Sequence, residues 1–199
     1  DWELIGRLGY PQEMFLPLSQ PGTLVGSFTK EIEEEVGFSC EVVLPATHDT
    51  GSAVMAVPGE GDKNLYISSG TWSLMGIENK TAICTEESRK RNFNNEGGYE
   101  YRYRYLKNIM GLWMIQSVRK ELENKYSFAE LCAMASRRSD FPSRVDVNDP
   151  VFLAPDSMIR AIREMCAKTG HPVPETPDEL AAVVYESLSD SYRETAEEI

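Results

Sequence analysis

The first residue able to do chemistry is Asp49, which lies within the run Thr47-His48-Asp49-Thr50. The run follows a short apolar strand predicted at residues 41–46, which is expected to be buried, and precedes small residues that suit a helix. A carboxylate at such a junction can accept the proton of a substrate hydroxyl within hydrogen-bond reach. His48 and Thr50 could bond neighbouring hydroxyls of a polyol. The structural alternative is that Asp49 or Thr50 N-caps the helix.

A second candidate is the turn Ser69-Gly70-Thr71, which lies between predicted strands at residues 64–68 and 72–78. Glycine permits positive φ and close backbone approach, so N–H groups of this turn could converge on a phosphate. The Thr71 hydroxyl would add a neutral donor. Most turns of this composition have no such role, so the motif is weak when taken alone.

Two amides complete the set of candidates. Asn108 precedes a predicted helix, which it could cap, or it could bond a sugar hydroxyl. Gln116 lies two turns into that helix and could reach a nucleotide phosphate. Each amide, taken singly, also fits a purely structural role.

The elements that must position these residues form a mixed α and β pattern. Predicted strands dominate up to about residue 110, and predicted helices follow. Residues 29–35 are predicted to form a helix that ends at Gly37. Ser127 and Glu130 have the spacing of a capping box at the start of a later helix. Apolar residues recur at helical spacing in three stripes. These stripes are Leu112, Trp113, Ile115, Val118 and Leu122; Met158, Ile159, Ile162, Met165 and Cys166; and Leu180, Val184 and Leu188.

Residues 99–105 give the clearest strand pattern, because tyrosine occupies every second position. All four tyrosines should then project from one face, with Glu100, Arg102 and Arg104 on the other. Interleaved aromatic and basic residues can bind single-stranded nucleic acid. Packing of the tyrosines on the core is the preferred interpretation, since Glu100 interrupts the basic face.

Bulk composition excludes several classes of partner. The chain has 199 residues and a formal net charge of -12, which argues against nucleic-acid and anionic-membrane surfaces. Its 4 cysteines form no C-x-x-C pair, so we expect no metal site of the zinc type and reduced thiols in the cytoplasm. Neither a signal peptide nor a membrane-spanning run is found in the sequence. The oligomeric state is left open.

Several of these segments, in this order and at similar spacing, resemble the FGGY family of carbohydrate kinases. The matching stretches are residues 46–54, 66–76 and 95–113, preceded by residues 8–11 and 21–26. The resemblance implies an α/β fold of the actin-like ATPase (RNase H-like) type. Residues 1–57 would end one such domain, and residues 58–199 would form an incomplete second one.

The resemblance also implies ATP-dependent phosphorylation of a sugar, with ATP and Mg²⁺ as cofactors. Asp49 would be the general base. The sugar would be bound by His48, Asp49, Thr50 and Asn108, and ATP by Gly70, Thr71 and Gln116. The motif His48-Asp49-Thr50 and the tryptophan after Gly70-Thr71, compared with the same family, favour L-rhamnulose as the ketose. L-Fuculose, D-xylulose and glycerol are alternatives, as is a non-catalytic sugar-binding module.

The sequence departs from the family pattern at both ends. The family's Asp-x-Gly-x-x-Ser phosphate loop and its late Gly-Gly-Gly segment beside adenosine have no counterpart here. The chain begins with Asp1 rather than methionine, and Ile199 ends a helical pattern without a C-cap. We therefore expect an internal fragment that is inactive when isolated, and that shows no ketose-dependent ADP release above background.

Overall fold

Cap residues and apolar patterning produce short elements, which the computed structural model describes for residues 1–46, 48–58 and 64–199. Contacts between these elements divide the chain into a first unit, Asp1–Met55, and a second unit, Ala56–Ile199. The domain boundary predicted from the sequence, after residue 57, stays a prediction. Thr47 and residues 59–63 lie outside the described residues.

The first unit consists of short helices around a two-stranded antiparallel sheet. Its elements are α1 (Trp2–Arg7), a 3₁₀ turn (Gln12–Met14), β1 (Leu24–Ser27), α2 (Lys30–Val36), β2 (Glu41–Val43) and α3 (Asp49–Met55). Helix α2 ends, as predicted, at Gly37, whose φ of 80° is left-handed. The strand predicted at residues 41–46 stops at Val43. All three residues of β2 are exposed, so the interpretation of this strand as buried was wrong.

The second unit contains a four-stranded antiparallel sheet with the order β3-β4-β6-β5. The strands are β3 (Tyr66–Ser69), β4 (Trp72–Asn79), β5 (Phe93–Gly97) and β6 (Tyr103–Met110), and helix α4 (Glu86–Lys90) precedes β5. The predicted hairpin around Ser69-Gly70-Thr71 is confirmed, since Ser69 pairs with Ser73 across the turn.

Gly76 lies where β4 and β6 leave no room for a side chain. It pairs with Leu106, and a Cβ atom on Gly76 would lie 2.6 Å from the Leu106 Cβ and against the Tyr105 carbonyl oxygen. Real side chains do not approach so closely, because cores are already packed to crystal-like density. The absence of a side chain at position 76 is therefore what allows this register.

Four helices pack beside the sheet. They are α5 (Trp113–Glu121), α6 (Phe128–Arg137), α7 (Met158–Lys168) and α8 (Pro177–Glu198), with a 3₁₀ turn at Pro150–Phe152. Ser127 and Glu130 form the predicted capping box at α6, and hydrogen bonds from Ser127 lower the pKa of the Glu130 carboxyl. The three predicted apolar stripes supply core residues on α5, α7 and α8, among them Ile115, Ile162 and Leu180.

The tyrosine segment differs from its prediction. Residues Tyr99–Tyr101 form a 3₁₀ turn, and Glu100 and Tyr101 have φ values of 53° and 57°. Two consecutive left-handed residues end the extended alternation. Strand β6 therefore begins only at Tyr103, and Tyr101 is 74% exposed rather than packed on the core.

Tyr105 is buried, as predicted. Its ring is 6% exposed and stacks on Phe93 with 4.7 Å between ring centroids. On the opposite face of β6, Arg104 is 3% exposed and lies 2.9 Å from Glu96. The basic face is thus paired with a carboxylate from the neighbouring strand.

Candidate functional site

Asp49 is the first residue of α3. Its Oδ1 accepts a hydrogen bond from the Thr50 backbone N–H at 2.7 Å. The His48 Nδ1 lies 3.7 Å from the same oxygen, and the Asp49 side chain is 98% exposed. One carboxylate oxygen therefore serves the start of the helix, while the exposure of the group leaves it accessible to a ligand.

Local hydrogen bonds fix the backbone that carries Asp49. The Ser52 backbone N–H donates to the His48 carbonyl at 3.0 Å, and the Ser52 hydroxyl donates to the Ala46 carbonyl at 2.6 Å. Thr50 is buried, with 9% of its surface exposed, and anchors the first turn. The first unit thus holds His48, Asp49 and Thr50 on one short junction, with the acidic group outermost.

In the second unit, the turn at Gly70-Thr71 is joined directly to the start of α5. The Leu112 N–H donates to the Gly70 carbonyl at 3.0 Å, and the Trp113 N–H donates to the Thr71 carbonyl at 3.0 Å. Within the turn, the Gly70 N–H donates to the Trp72 carbonyl at 2.9 Å. The turn and the helix that carries Gln116 therefore form one hydrogen-bonded junction.

Gly70 does not use the positive φ that its residue type allows. A Cβ atom built there would meet only the Trp72 carbonyl oxygen, at 3.5 Å, which is ordinary contact. The folded chain itself does not require glycine at this position. Glycine at this position would also allow the close approach of a group from outside the chain to the exposed turn.

Gln116 lines a groove of about 410 Å³ between α5 and the segment that leads into α7. The residues that line this α5–α7 groove are Trp113, Gln116, Ser117, Lys120, Glu121, Pro155, Asp156 and Met158. Apolar surfaces from Trp113, Pro155 and Met158 face polar groups, an arrangement that suits a flat polar ligand. The Trp113 Nε1–H donates to the Phe152 carbonyl at 3.1 Å and so ties the two walls together.

Sequence reasoning found Gln116 but missed the rest of the groove. Trp113 lies three residues before Gln116 and four before Ser117, and Lys120 lies four and three residues after them, so these residues occupy one side of α5. That spacing could have identified them. The opposite wall, at Pro155 to Met158, comes from a distant part of the chain and left no local signal.

Asn108 is exposed on β6, where it pairs with Leu74 of β4. Its neighbour Lys107 donates to Glu198 of α8 at 2.9 Å, and Ile109 is fully buried in the core. Successive side chains of a strand point to opposite faces, so Asn108 points away from α8. It does not cap α5, which begins at Trp113 after Leu112 with no side-chain cap bond.

The described residues contain no group of three or more histidine, cysteine, aspartate or glutamate side chains placed to hold a metal ion. Among the same residues, no helix is long and apolar enough to cross a membrane. The four cysteines are free, and Cys166 is buried.

Comparison with protein families gives one match, to the model described as "FGGY family of carbohydrate kinases, C-terminal domain", over residues 65–199. The rhamnulokinase of Halalkalibacterium halodurans is 51% identical over 199 residues, which is 100% of this chain and 42% of the relative. The rhamnulokinase of Oceanobacillus iheyensis is 48% identical with the same coverage. The chain thus spans about two-fifths of the length of the curated relatives it matches.

Solved structures with a similar fold have low sequence identity. A xylulose kinase from Rhodospirillum rubrum matches with a TM-score of 0.65 and 16% identity, covering 98% of this chain and 39% of that one. A ligand-bound xylulose kinase from Lactobacillus acidophilus matches with a TM-score of 0.68 and 13% identity, covering 100% and 40%. These likenesses establish the fold, and the predicted α/β class of the actin-like ATPase type is confirmed.

Proposed function

Because the chain belongs to the FGGY family of carbohydrate kinases, we propose that it carries part of the active site of an ATP-dependent ketose kinase. The acceptor is L-rhamnulose and the products are L-rhamnulose 1-phosphate and ADP. Identity of 48–51% to rhamnulokinases along the whole chain supports this choice of sugar. The activity is that of the full-length protein, since the chain spans 42% of these relatives.

The observation that carries the nucleotide part of this proposal is the junction of the Gly70-Thr71 turn with α5. Two backbone hydrogen bonds of 3.0 Å hold the turn against the helix that presents Gln116. A nucleotide in the α5–α7 groove would contact Gln116 and extend its phosphates toward Gly70 and the Thr71 hydroxyl. Donors fixed in this way need no rearrangement when phosphate charge develops.

The sugar part of the proposal depends on Asp49. Its carboxylate accepts the proton of the attacking sugar hydroxyl as that oxygen forms a bond to the γ-phosphorus. The bond from that phosphorus to the bridging oxygen breaks, and ADP leaves with the electron pair. His48, which is exposed beside Asp49, binds a neighbouring sugar hydroxyl. For Asn108, which is exposed in the second unit, the same role rests on the family resemblance alone. Thr50 is nearly buried, so its contact with the sugar is the more restricted one.

Mg²⁺ would neutralise phosphate charge during transfer. The described residues contain no group of three or more histidine, cysteine, aspartate or glutamate side chains placed to hold a metal ion, and none of the steps above is assigned to Mg²⁺. We place the reaction in the cytoplasm, because four free cysteines fit a reducing compartment.

A substrate panel tests the proposal. The full-length protein is supplied with ATP, Mg²⁺ and, in turn, L-rhamnulose, L-fuculose, D-xylulose and glycerol, and ADP release is measured. We expect a clear preference for L-rhamnulose. Preference for another acceptor would correct the sugar and keep the kinase, whereas sugar binding without ADP release would indicate a non-catalytic module.

Gly70→Ala tests the phosphate turn. The new methyl group makes only an ordinary 3.5 Å contact, so we expect thermal stability within about 1 °C of wild type. A methyl group between the turn and a phosphate should raise the KM for ATP by about tenfold or more and leave the KM for the ketose unchanged. Steady-state kinetics with each substrate varied would measure this. An unchanged KM for ATP would remove Gly70 from the phosphate site.

A further inference from the structure

The last residue of α5 caps a different helix. The Glu121 Oε1 accepts a hydrogen bond from the Met158 N–H at 2.5 Å, while its Oε2 accepts from the Ser157 hydroxyl at 2.6 Å and the Ile159 N–H at 3.3 Å. These groups belong to the first turn of α7, whose N–H donors lack partners within the helix. One side chain from α5 therefore satisfies the beginning of α7.

This cap is one of two hydrogen-bonded connections, or ties, that the described residues make across the α5–α7 groove. Pro155, Asp156 and Met158 form the wall opposite Gln116, and they belong to the segment that runs from Phe152 to Met158. Trp113 holds one end of it through the 3.1 Å bond to the Phe152 carbonyl, and Glu121 holds the other end. Pro155 and Asp156 line the groove between these ties. The distance between the two walls thus depends on both.

The capping bonds also determine which charges of the groove are already engaged. Glu121 is bonded to α7, and the Asp156 Oδ2 accepts from Arg160 at 3.3 Å. Glu121 is therefore occupied in holding α7, and its carboxylate oxygens point at backbone and hydroxyl donors of that helix. Its role in ligand binding, on this geometry, is indirect.

We propose that Glu121 is a positioning residue that sets the width of the α5–α7 groove and thereby the affinity for the adenine nucleotide. The inference rests on the proposed function in one respect, that a nucleotide occupies the groove beside Gln116. Small displacements of a binding wall are costly, because contacts on both faces of a flat ligand must be made together.

Two variants of the full-length protein separate positioning from charge. Glu121→Asp keeps the charge but shortens the side chain by one methylene, so it cannot reach all three donors. Glu121→Ala removes both the charge and the cap. For both variants we expect the KM for ATP and the Kd of ADP, measured by calorimetry, to rise about five- to tenfold. The KM for the ketose should stay within about twofold of wild type.

Glu130→Ala is the matched control. Glu130 caps its own helix, α6, accepting from the Ser127 N–H at 2.7 Å and the Ser127 hydroxyl at 2.8 Å, and it does not line the groove. Its removal should cost comparable stability and leave the KM for ATP unchanged. Amide hydrogen exchange at Met158 and Ile159 should accelerate in Glu121→Asp and not in Glu130→Ala.

The outcomes distinguish this inference from the proposed function. A Glu121→Ala protein that binds nucleotide more tightly, with Glu121→Asp unchanged, would show that Glu121 acts only through its charge, and the inference would be overturned. An equal loss in Glu130→Ala would overturn it as well. If wild type binds ADP but phosphorylates no sugar, the kinase proposal fails while the Kd series still decides the role of Glu121. If wild type binds no adenine nucleotide, both fail.

Discussion

Asp49→Asn in the full-length protein should lower kcat by a factor of about 10² to 10⁴, the range that a positioned general base contributes, and leave the affinity for ATP within about twofold. Asparagine has nearly the same shape as aspartate and keeps the Oδ1 that accepts the 2.7 Å bond from Thr50. The start of α3 should therefore be preserved. What is lost is the capacity to take up a proton.

The alternative role of Asp49, as a residue that only stabilises the helix start, gives a different result. On that reading, Asp49→Asn should retain most of its turnover, because asparagine is as good as aspartate at helix N-termini. Turnover and ADP binding are measured on the same preparation, with circular dichroism to establish that the fold is intact. Retention of more than about a tenth of wild-type kcat would remove Asp49 from the role of base.

His48→Asn provides a comparison at the neighbouring position. His48 lies 3.7 Å from the Asp49 carboxylate and is proposed to contact sugar hydroxyls. Its loss should therefore appear mainly in the KM for the ketose, whereas the loss of Asp49 appears in kcat. A raised KM with an unchanged kcat indicates lost sugar binding, whereas a lowered kcat indicates lost proton transfer.

Gly76→Ala is expected to destabilise the second unit by about 3 kcal/mol or more, at the upper end of what overpacking costs. The added methyl carbon would lie 2.6 Å from the Leu106 Cβ and 2.8 Å from its Cα. Neither atom can move away without separating β4 from β6, because Leu106 of β6 is paired directly with Gly76 of β4. Urea denaturation followed by circular dichroism would measure the shift in midpoint.

Gly70→Ala makes the same chemical change six residues earlier and is the natural control. Its methyl group meets a single carbonyl oxygen at 3.5 Å, so its denaturation midpoint should stay near that of wild type. Gly76→Ala should therefore lower the stability of the second unit, whereas Gly70→Ala should raise the KM for ATP. Equal destabilisation by both substitutions would mean that the close approach at Gly76 does not control the register.

The elements that sequence patterns predicted well are those specified by neighbouring residues. Ser127 and Glu130 specify a capping box within four residues, and Gly37 ends α2 through its own left-handed backbone. The alternation on either side of Gly70-Thr71 predicted a hairpin that the structure contains. In each case the determining contacts lie within a few residues along the chain.

The elements that were predicted wrongly depend on backbone geometry that alternation does not reveal. Tyr99 and Tyr101 fit a strand by period, yet Glu100 and Tyr101 adopt left-handed φ and form a turn. Strand β2 was expected to be buried because it is apolar, whereas burial depends on what packs against it. Apolar composition alone does not say whether a covering layer exists.

The candidate site likewise contains residues that the sequence identified and residues that it missed. Asp49, Gly70 and Gln116 were singled out by residue type together with their position beside turns and helix starts. Glu121 and the wall from Pro155 to Met158 were not, because they meet only when α5 and α7 pack together. A carboxylate that caps a helix about 37 residues further along the chain leaves no signature in sequence spacing.

The strand order β3-β4-β6-β5 has a kinetic consequence. The β3–β4 pair closes over the two residues Gly70 and Thr71, and the β5–β6 pair closes over residues 98–102, so both can form within about 1–10 μs. Strands β4 and β6 must instead meet across the intervening residues 80–102, at a larger cost in chain entropy. The pairing of β4 with β6 is therefore expected to be slower than the closure of either hairpin.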